Sequence, residues 1–418
     1  MLLVMRLSSL FRGESAFLKG NFLILTLSWV IMYFAQPIPA TYASLYYLSL
    51  GADAFLLSII GFAGSIAVAF VQLPGGYLAD KHGRRWLTVA MTYGLAFFTL
   101  FFIFAPNWQV IMLGIVLQNL CVIYQPAIMA MIIDSLPPKD RGKGYNFQSV
   151  ITSLVILPAP LIAQYLIFLF NFDLGMRIAY AIFFVAYLAA ATLRLKLKET
   201  LPLTGNSGRP KILAAFREYP KTVKASLSVW SKVPRSAFFL FLSSMGINGM
   251  VIACQAYFVV YATAVLQITE AQWAIVQAFM YLSIAIPMLL AGLKMDVVGR
   301  KRFVILSYLM YVPAMLLFVS ADFYLALLAF FFFGFGNMLQ MSSYQVLLGD
   351  LVPRGLRGTV AGCTSFFMYL SQAFLQLLIG FLYAFVSPQL PFLLLAAVAV
   401  PLALLVTFKV SEPKVKEV

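Results

Sequence analysis

The residues with the most chemical content fall in two pairs of short clusters. Gly76-Tyr77-Leu78-Ala79-Asp80-Lys81-His82-Gly83-Arg84-Arg85 returns as Gly292-Leu293-Lys294-Met295-Asp296-Val297-Val298-Gly299-Arg300-Lys301. Asp134 and Pro137, followed by Arg141-Gly142, return as Asp350 and Pro353, followed by Arg357-Gly358. Each matched position is 216 residues from its copy. The chemistry open to such clusters is non-covalent. Glycine permits a tight turn or a close backbone approach. Arginine offers a fork to carboxylates and to last-turn carbonyls, and the spacing lets Asp80 pair with Arg84. These are parts for holding chain segments together and releasing them.

Covalent chemistry has little material. His82 is the one histidine and lies among basic residues; Cys121, Cys254 and Cys363 have no paired spacing. No metal centre, cofactor site, thiol pair or phosphate-binding loop is therefore expected, and the chain does not read as an enzyme. All fourteen acidic residues fall in loops, tails or helix ends, so no carboxylate is expected at mid-membrane, where a charge costs about 2.5–3.5 kcal/mol. Neutral polar residues occupy the middles instead: Gln36, Gln118, Asn119, Asn248, Gln255, Asn337 and Gln340, with Tyr33, Tyr124 and Tyr257 as aromatic faces. Amides of this kind suit the hydrogen-bonding groups of an uncharged solute. They serve equally well as bonds between helices, at about 0.6 kcal/mol each.

The elements that must position these groups are set by hydropathy. Apolar residues make up 63% of the chain, charged residues 10%, and mean hydropathy is +0.94, a balance that a water-soluble domain does not reach. Apolar runs of spanning length predict twelve helices near 21–48, 54–78, 87–105, 108–133, 146–170, 176–194, 236–265, 271–293, 303–320, 323–348, 358–386 and 390–409. The fold class that follows is all-α and integral to the membrane. Residues 1–20 form an N-terminal segment, 21–194 and 236–409 two six-helix units, 195–235 a basic linker and 410–418 a tail.

Alternate loops collect the basic residues. Counting a stretch from Arg194 to Arg235 with the linker, 28 of the 29 basic residues lie on one side, which marks that side as cytoplasmic, together with both termini. Arg177, beside Asp173, is the exception. The net charge of +15 then reads as orientation and contact with anionic lipid, not nucleic-acid binding. A stretch around Lys211–Trp230, interrupted by Pro220, has the pattern of a surface-lying amphipathic linker.

Two separate motifs sharing one offset mark an internal duplication. The G-x-x-x-D-x-x-G-R-R/K loop, twice in a 6+6 chain with a long basic central loop, resembles the major facilitator superfamily over nearly the whole length. That resemblance implies two pseudo-twofold-related six-helix bundles, a central cavity lined by helices 1, 4, 7 and 10, and rocking that exposes the cavity to each side in turn. It also implies that Asp80 faces the start of helix 11 at Arg357-Gly358, and Asp296 the start of helix 5 near Arg141-Gly142, so that helix dipoles latch the cytoplasmic side. Ile115 stands where proton-driven drug exporters of the family usually carry an arginine, and Ala159-Pro160-Leu161-Ile162-Ala163-Gln164 keeps only the proline of their glycine-rich helix-5 stretch. The expected function is secondary transport of a small neutral or amphiphilic organic solute across the cytoplasmic membrane, by a monomer, with H+ open as a coupling ion. A proton-coupled multidrug exporter is the alternative within the class, and a non-transporting sensor or scaffold the alternative outside it.

Overall fold

The computed structural model describes residues 19–137, 141–201, 228–291, 299–353 and 356–412. Among them every regular element is helical. The first predicted helix is three pieces, α1 Gly20–Ala35, α2 Pro37–Ala40 and α3 Ala43–Ser49; Pro37 and Pro39 have no N–H to continue the ladder, so the helix breaks at Gln36. α4 Ala54–His82 follows. The third span is α5 Arg84–Phe98 with α6 Leu100–Ile103. The fourth is α7 Trp108–Cys121 joined by a 3-10 turn, Val122–Tyr124, to α8 Gln125–Ser135, the turn tightening just before Pro126.

Next come α9 Arg141–Val155 and α10 Ala159–Arg194. Together they form a helical stretch of 54 residues, about 80 Å if straight and far longer than one crossing. It folds back at Asn171, whose φ of 62° interrupts the helix, close to the predicted break at 170–176. Arg177 pins this corner: its Nε bonds Asp173 at 2.9 Å, and its two Nη groups donate to Ile103 O at 2.8 Å and Ala105 O at 3.1 Å. The second half has α11 Arg235–Ala264, α12 Glu270–Ala291, α13 Arg300–Phe318, α14 Phe323–Leu351, α15 Arg357–Phe381 with a π-turn Leu382–Val386, and α16 Leu390–Lys409. Ten helical segments among the described residues are long and apolar enough to span. Counting the folded-back stretch twice brings these to eleven; α12, 22 residues long, occupies the place of the eighth predicted helix.

Helix starts are capped where the chain turns back. Asp53, Asn107 and Asp322 accept from Leu56 N, Val110 N and Leu325 N at 2.7, 3.1 and 2.8 Å, satisfying orphan first-turn donors. In lipid these helices associate by packing rather than by expelling water. The second bundle shows it in a block of edge-on rings, with Phe258 at 5.5 Å from Phe318, 5.1 Å from Phe330 and 5.0 Å from Phe333. The end of the bundle carrying Lys19, Arg84, Arg85, Arg300 and Lys301 is the basic face; Ser49, Asp53 and Gln267 lie at the opposite face.

Candidate functional site

At the basic face the two halves repeat one another residue for residue. Gly83 and Gly299 both have positive φ, 93° and 98°, a left-handed turn that side-chain-bearing residues rarely adopt. The turn aims Arg84 at Asp134 and Arg300 at Asp350, two ion pairs related by the same offset of 216. Each tethers the start of a third span to the end of a fourth within one bundle. A further pair lies outside the sequence motifs. The backbone N–H of Arg85 donates to Glu199 at 3.0 Å, and that of Lys301 to Glu412 at 2.6 Å. Glu199 and Glu412 are 213 residues apart, so the common offset did not expose them. Arg85 Nη also donates to Leu195 O at 2.8 Å and Lys301 Nζ to Thr407 O at 2.7 Å.

The expected cross-bundle latches, Asp80 with the start of helix 11 and Asp296 with the start of helix 5, rest on side chains outside those described. Gly76 and Asp80 lie in the last turns of α4, and their side-chain surroundings fall outside the described residues, as do Gly292 and Asp296 entirely. Arg357 bonds its own loop, Nε to Val352 O at 3.1 Å. Arg141 opens α9. A β-carbon added at Gly142 or Gly358 would meet open space among the described residues.

The opposite face is tightly joined. Tyr42 Oη donates to Glu270 O at 2.6 Å, Trp273 Nε1 to Thr41 O at 3.3 Å, and Tyr257 Oη to Ala54 O at 2.9 Å, all from one bundle to the other. Phe55 meets Phe385 at 5.3 Å and Phe62 meets Phe374 at 5.9 Å. Deeper along α4, Ser65 Oγ pairs with Gln376 Oε1 at 3.0 Å and accepts from Gln372 Nε2 at 3.1 Å. Ser65 is eleven residues beyond Ala54, so the seam runs about 16 Å inward, halfway through a span. The cross-bundle hydrogen bonds described all belong to this half.

At the bottom of that seam is a cavity of about 210 Å³ lined from both bundles, with Ser44, Tyr47, Ser65, Asn119, Gln372 and Gln376 as its polar groups and Leu57, Ile60, Ile115 and Ala256 among its apolar ones. Among the described residues no charged side chain lines it. A larger vestibule, about 420 Å³, opens at the opposite face between Leu45 and Phe172 of the first bundle and Gln267 to Glu270 of the second.

The predicted cavity residues divide. Asn119 lines the pocket. Tyr33 is 44% exposed although closely surrounded, as in the wall of a hollow, and Gln36 and Gln255 are exposed. Gln36 accepts from Tyr187 Oη at 3.2 Å, and Tyr124 is 7% exposed. Asn248 is half-buried. Gln118, Gln340 and Asn337 bond the helices themselves: Gln118 Nε2 to Leu95 O at 3.1 Å and Thr99 Oγ1 at 2.9 Å, Gln340 Oε1 from Tyr311 Oη at 2.8 Å, Asn337 Nδ2 to Phe333 O at 3.5 Å. Tyr257 belongs to the seam. Sequence reading missed Ser65, Gln372 and Gln376, since neither the second span, α4, nor the eleventh, α15, was among the helices expected to line the cavity. One charge is displaced too. Arg194, counted with the basic linker, is wholly buried inside the first bundle.

The Major Facilitator Superfamily model matches residues 20–292 and 242–418, so its two matches together cover every position from 20 to the end. The chain belongs to the Major Facilitator Superfamily. Solved superfamily-type transporters share its fold: the human organic anion transporter MFSD10 (TETRAN), 17% identical with TM-score 0.67 over 92% of this chain and 98% of that one; the nucleoside transporter NupG, 14% identical with TM-score 0.67 over 93% and 98%; and a POT family transporter in complex with 5-aminolevulinic acid, 14% identical with TM-score 0.73 over 93% and 96%. A curated superfamily relative, a Na(+), Li(+), K(+)/H(+) antiporter of Planococcus maritimus, is 27% identical over 195 residues, 44% of this chain; the chain spans 42% of that relative's length. This chain is accordingly a multi-pass membrane transporter and not an enzyme.

Proposed function

We propose that this transporter moves a small neutral or amphiphilic organic solute across the cytoplasmic membrane by alternating access, with its basic face and both termini in the cytoplasm. The observation that carries the reading is the cavity between the bundles, lined by amides, hydroxyls and apolar side chains and, among the described residues, by no charge. Such a lining replaces the hydration of hydrogen-bonding groups without the cost of binding an ion. The closed seam on the face opposite the basic one supports an inward-facing arrangement. The positive-inside rule supports the orientation.

Cation/proton exchange is the second reading, favoured by the name of the curated relative. Monovalent cations need a concentration of oxygen ligands, and their exchange for protons needs a titratable group; the described cavity supplies Asn119, Gln372, Gln376 and Ser65 but no carboxylate. Proteoliposome flux decides between the two. Uptake of a neutral solute found in a stabilisation screen, lost in Asn119→Leu and indifferent to sodium, supports the first. Sodium-dependent proton release from vesicles with no solute present would displace it by the second.

A further inference from the structure

Arg194 ends α10 and is fully buried. Its Nε donates to the Ser28 hydroxyl at 3.0 Å, one Nη donates to the Thr92 hydroxyl at 2.6 Å, and the guanidinium carbon stands 5.5 Å from the centroid of the Tyr124 ring. The other Nη is buried and has no hydrogen-bond partner among the described residues. Among the described residues none of the ion pairs includes Arg194. Ser28 lies eight residues into α1 and Thr92 eight into α5, so the group sits about 12 Å inside the basic-face ends of these helices.

Its neighbours are arranged to accept a cation's protons but not to cancel its charge. Ser28 Oγ gives its own proton to Leu25 O at 2.8 Å and Thr92 Oγ1 gives its proton to Thr88 O at 2.6 Å. Both hydroxyls are thereby fixed as acceptors toward the guanidinium. A ring face adds attraction but no counter-charge. A buried charge with a free donor and no counter-ion is costly to keep, and within a membrane domain such a group marks a ligand or ion path.

We propose that Arg194 receives a monoanion, either inorganic chloride or the carboxylate of an amphiphilic solute, on its free Nη. The anion would approach from Tyr33, which is 44% exposed and within electrostatic reach of Tyr124. Tyr187 is in reach of Tyr33, Tyr124 and Arg194, and its hydroxyl donates to Gln36, so phenols line the way from the exposed wall to the cation. The Tyr124 ring must turn aside for the ion to enter, exchanging a ring contact for a charge-assisted hydrogen bond. This deepens the carrier reading by giving its solute, or an ion travelling with it, one negative charge.

The test is binding to the purified full-length chain in detergent, which needs no transport; loss of the anion effect therefore leaves the carrier reading intact, and absence of flux leaves this one intact. Thermal unfolding is followed as sodium methanesulfonate, which is neither a halide nor a carboxylate, is replaced at constant ionic strength by sodium chloride, and in a second arm by sodium benzoate. At ten times the half-effect concentration Tm rises by about 2 °C or more in the wild type and not in Arg194→Gln. A rise with both anions supports a general monoanion site, with chloride alone an inorganic ion, and with benzoate alone the solute's carboxylate. No rise with either anion overturns the proposal, as does an undiminished rise in Arg194→Gln. Should that variant fail to fold, Thr92→Val leaves the guanidinium in place and frees a second N–H, so the half-effect concentration falls at least threefold; an unchanged concentration overturns the proposal equally.

Discussion

Gly380 places the strongest constraint on which face is closed. It lies in α15 against α4, and a β-carbon there would run into the Ser58 side chain and stand 2.7 Å from the Tyr257 hydroxyl oxygen. Neither neighbour yields cheaply. Ser58 is 2% exposed and its hydroxyl is bonded to Phe55 O at 2.6 Å, while Tyr257 is 1% exposed and committed to Ala54 O across the seam. The extra methyl in Gly380→Ala costs the closed arrangement the ~1–3 kcal/mol of an overpacked site. An arrangement in which α4 and α15 part at that level bears none of it. The ratio of closed to open molecules therefore falls by roughly 5- to 150-fold. Spin labels at Ser49→Cys and Gln389→Cys, one on each side of the seam at the opposite face, report the change by double electron–electron resonance; the three native cysteines are buried and stay unlabelled. The wild type gives one short distance and Gly380→Ala adds a longer one. Identical distance distributions would refute the claim that this contact separates on opening.

The two matching ion pairs differ in burial, with Asp350 24% and Asp134 43% exposed, so Asp350→Asn lowers stability by about 2 kcal/mol and Asp134→Asn by less than about 1 kcal/mol in thermal unfolding; equal losses would contradict this. Burial raises the carboxyl of Glu270, at the surface end of α12 and ahead of its apolar run, above its ordinary 4.5, and the facing titratable group is Tyr42. A raised carboxyl favours its protonated form, so the closed opposite face gains stability that is complete below pH 4.5 and is lost as pH rises through the raised value; the Ser49–Gln389 distance follows that titration in the wild type and ignores it in Glu270→Gln. Gln118→Leu removes two bonds between α5 and α7 and lowers Tm while leaving the concentration for half-maximal flux unchanged, whereas Asn119→Leu raises that concentration tenfold or more with little effect on Tm.

What was legible in the sequence was what hydropathy and repetition encode. α11, α15 with its π-turn and α16 begin and end within a residue of expectation, because long apolar runs bounded by charge leave a membrane helix no other register. The breaks at Gln36, at Val122–Tyr124 and at residues 156–158 went unseen; prolines sit beside each, but a proline in a membrane helix is compatible with a kink or a stop, and packing decides between them. Ion-pair partners were hidden for a different reason. Asp134 is fifty residues from Arg84, and only the positive φ at Gly83, which turns Arg84 toward α8, brings the two together. Depth was the hardest quantity to read. Arg194 follows an apolar run and precedes Lys196 and Lys198, so charge counting assigns it to the surface, whereas α10 continues to residue 194 and buries it.

Where the two halves match and where they differ divides the molecule by task. The turn glycines, the Arg–Asp pairs and the carboxylates on Arg85 N–H and Lys301 N–H occur in both copies, and all of them act within a bundle. They give two bodies of similar stiffness, which is what rocking about a shared axis requires. The amides that meet at the cavity have no such twins, and its Ser65 has only a bulkier hydroxyl residue. At the same offset of 216, Ser65 corresponds to Tyr281, Asn119 to Phe335, and Gln372 and Gln376 to Ile156 and Pro160. Arg194 corresponds to Val410, or to Thr407 if the 213 relating Glu199 to Glu412 is used. A solute lacking twofold symmetry cannot satisfy two identical walls, since any group placed to bond it on one side would have an unpaired copy on the other, at the cost of a buried unsatisfied donor or acceptor. Loss of the polar copy at Asn119, Gln372 and Gln376 is therefore what a binding site between duplicated bundles demands.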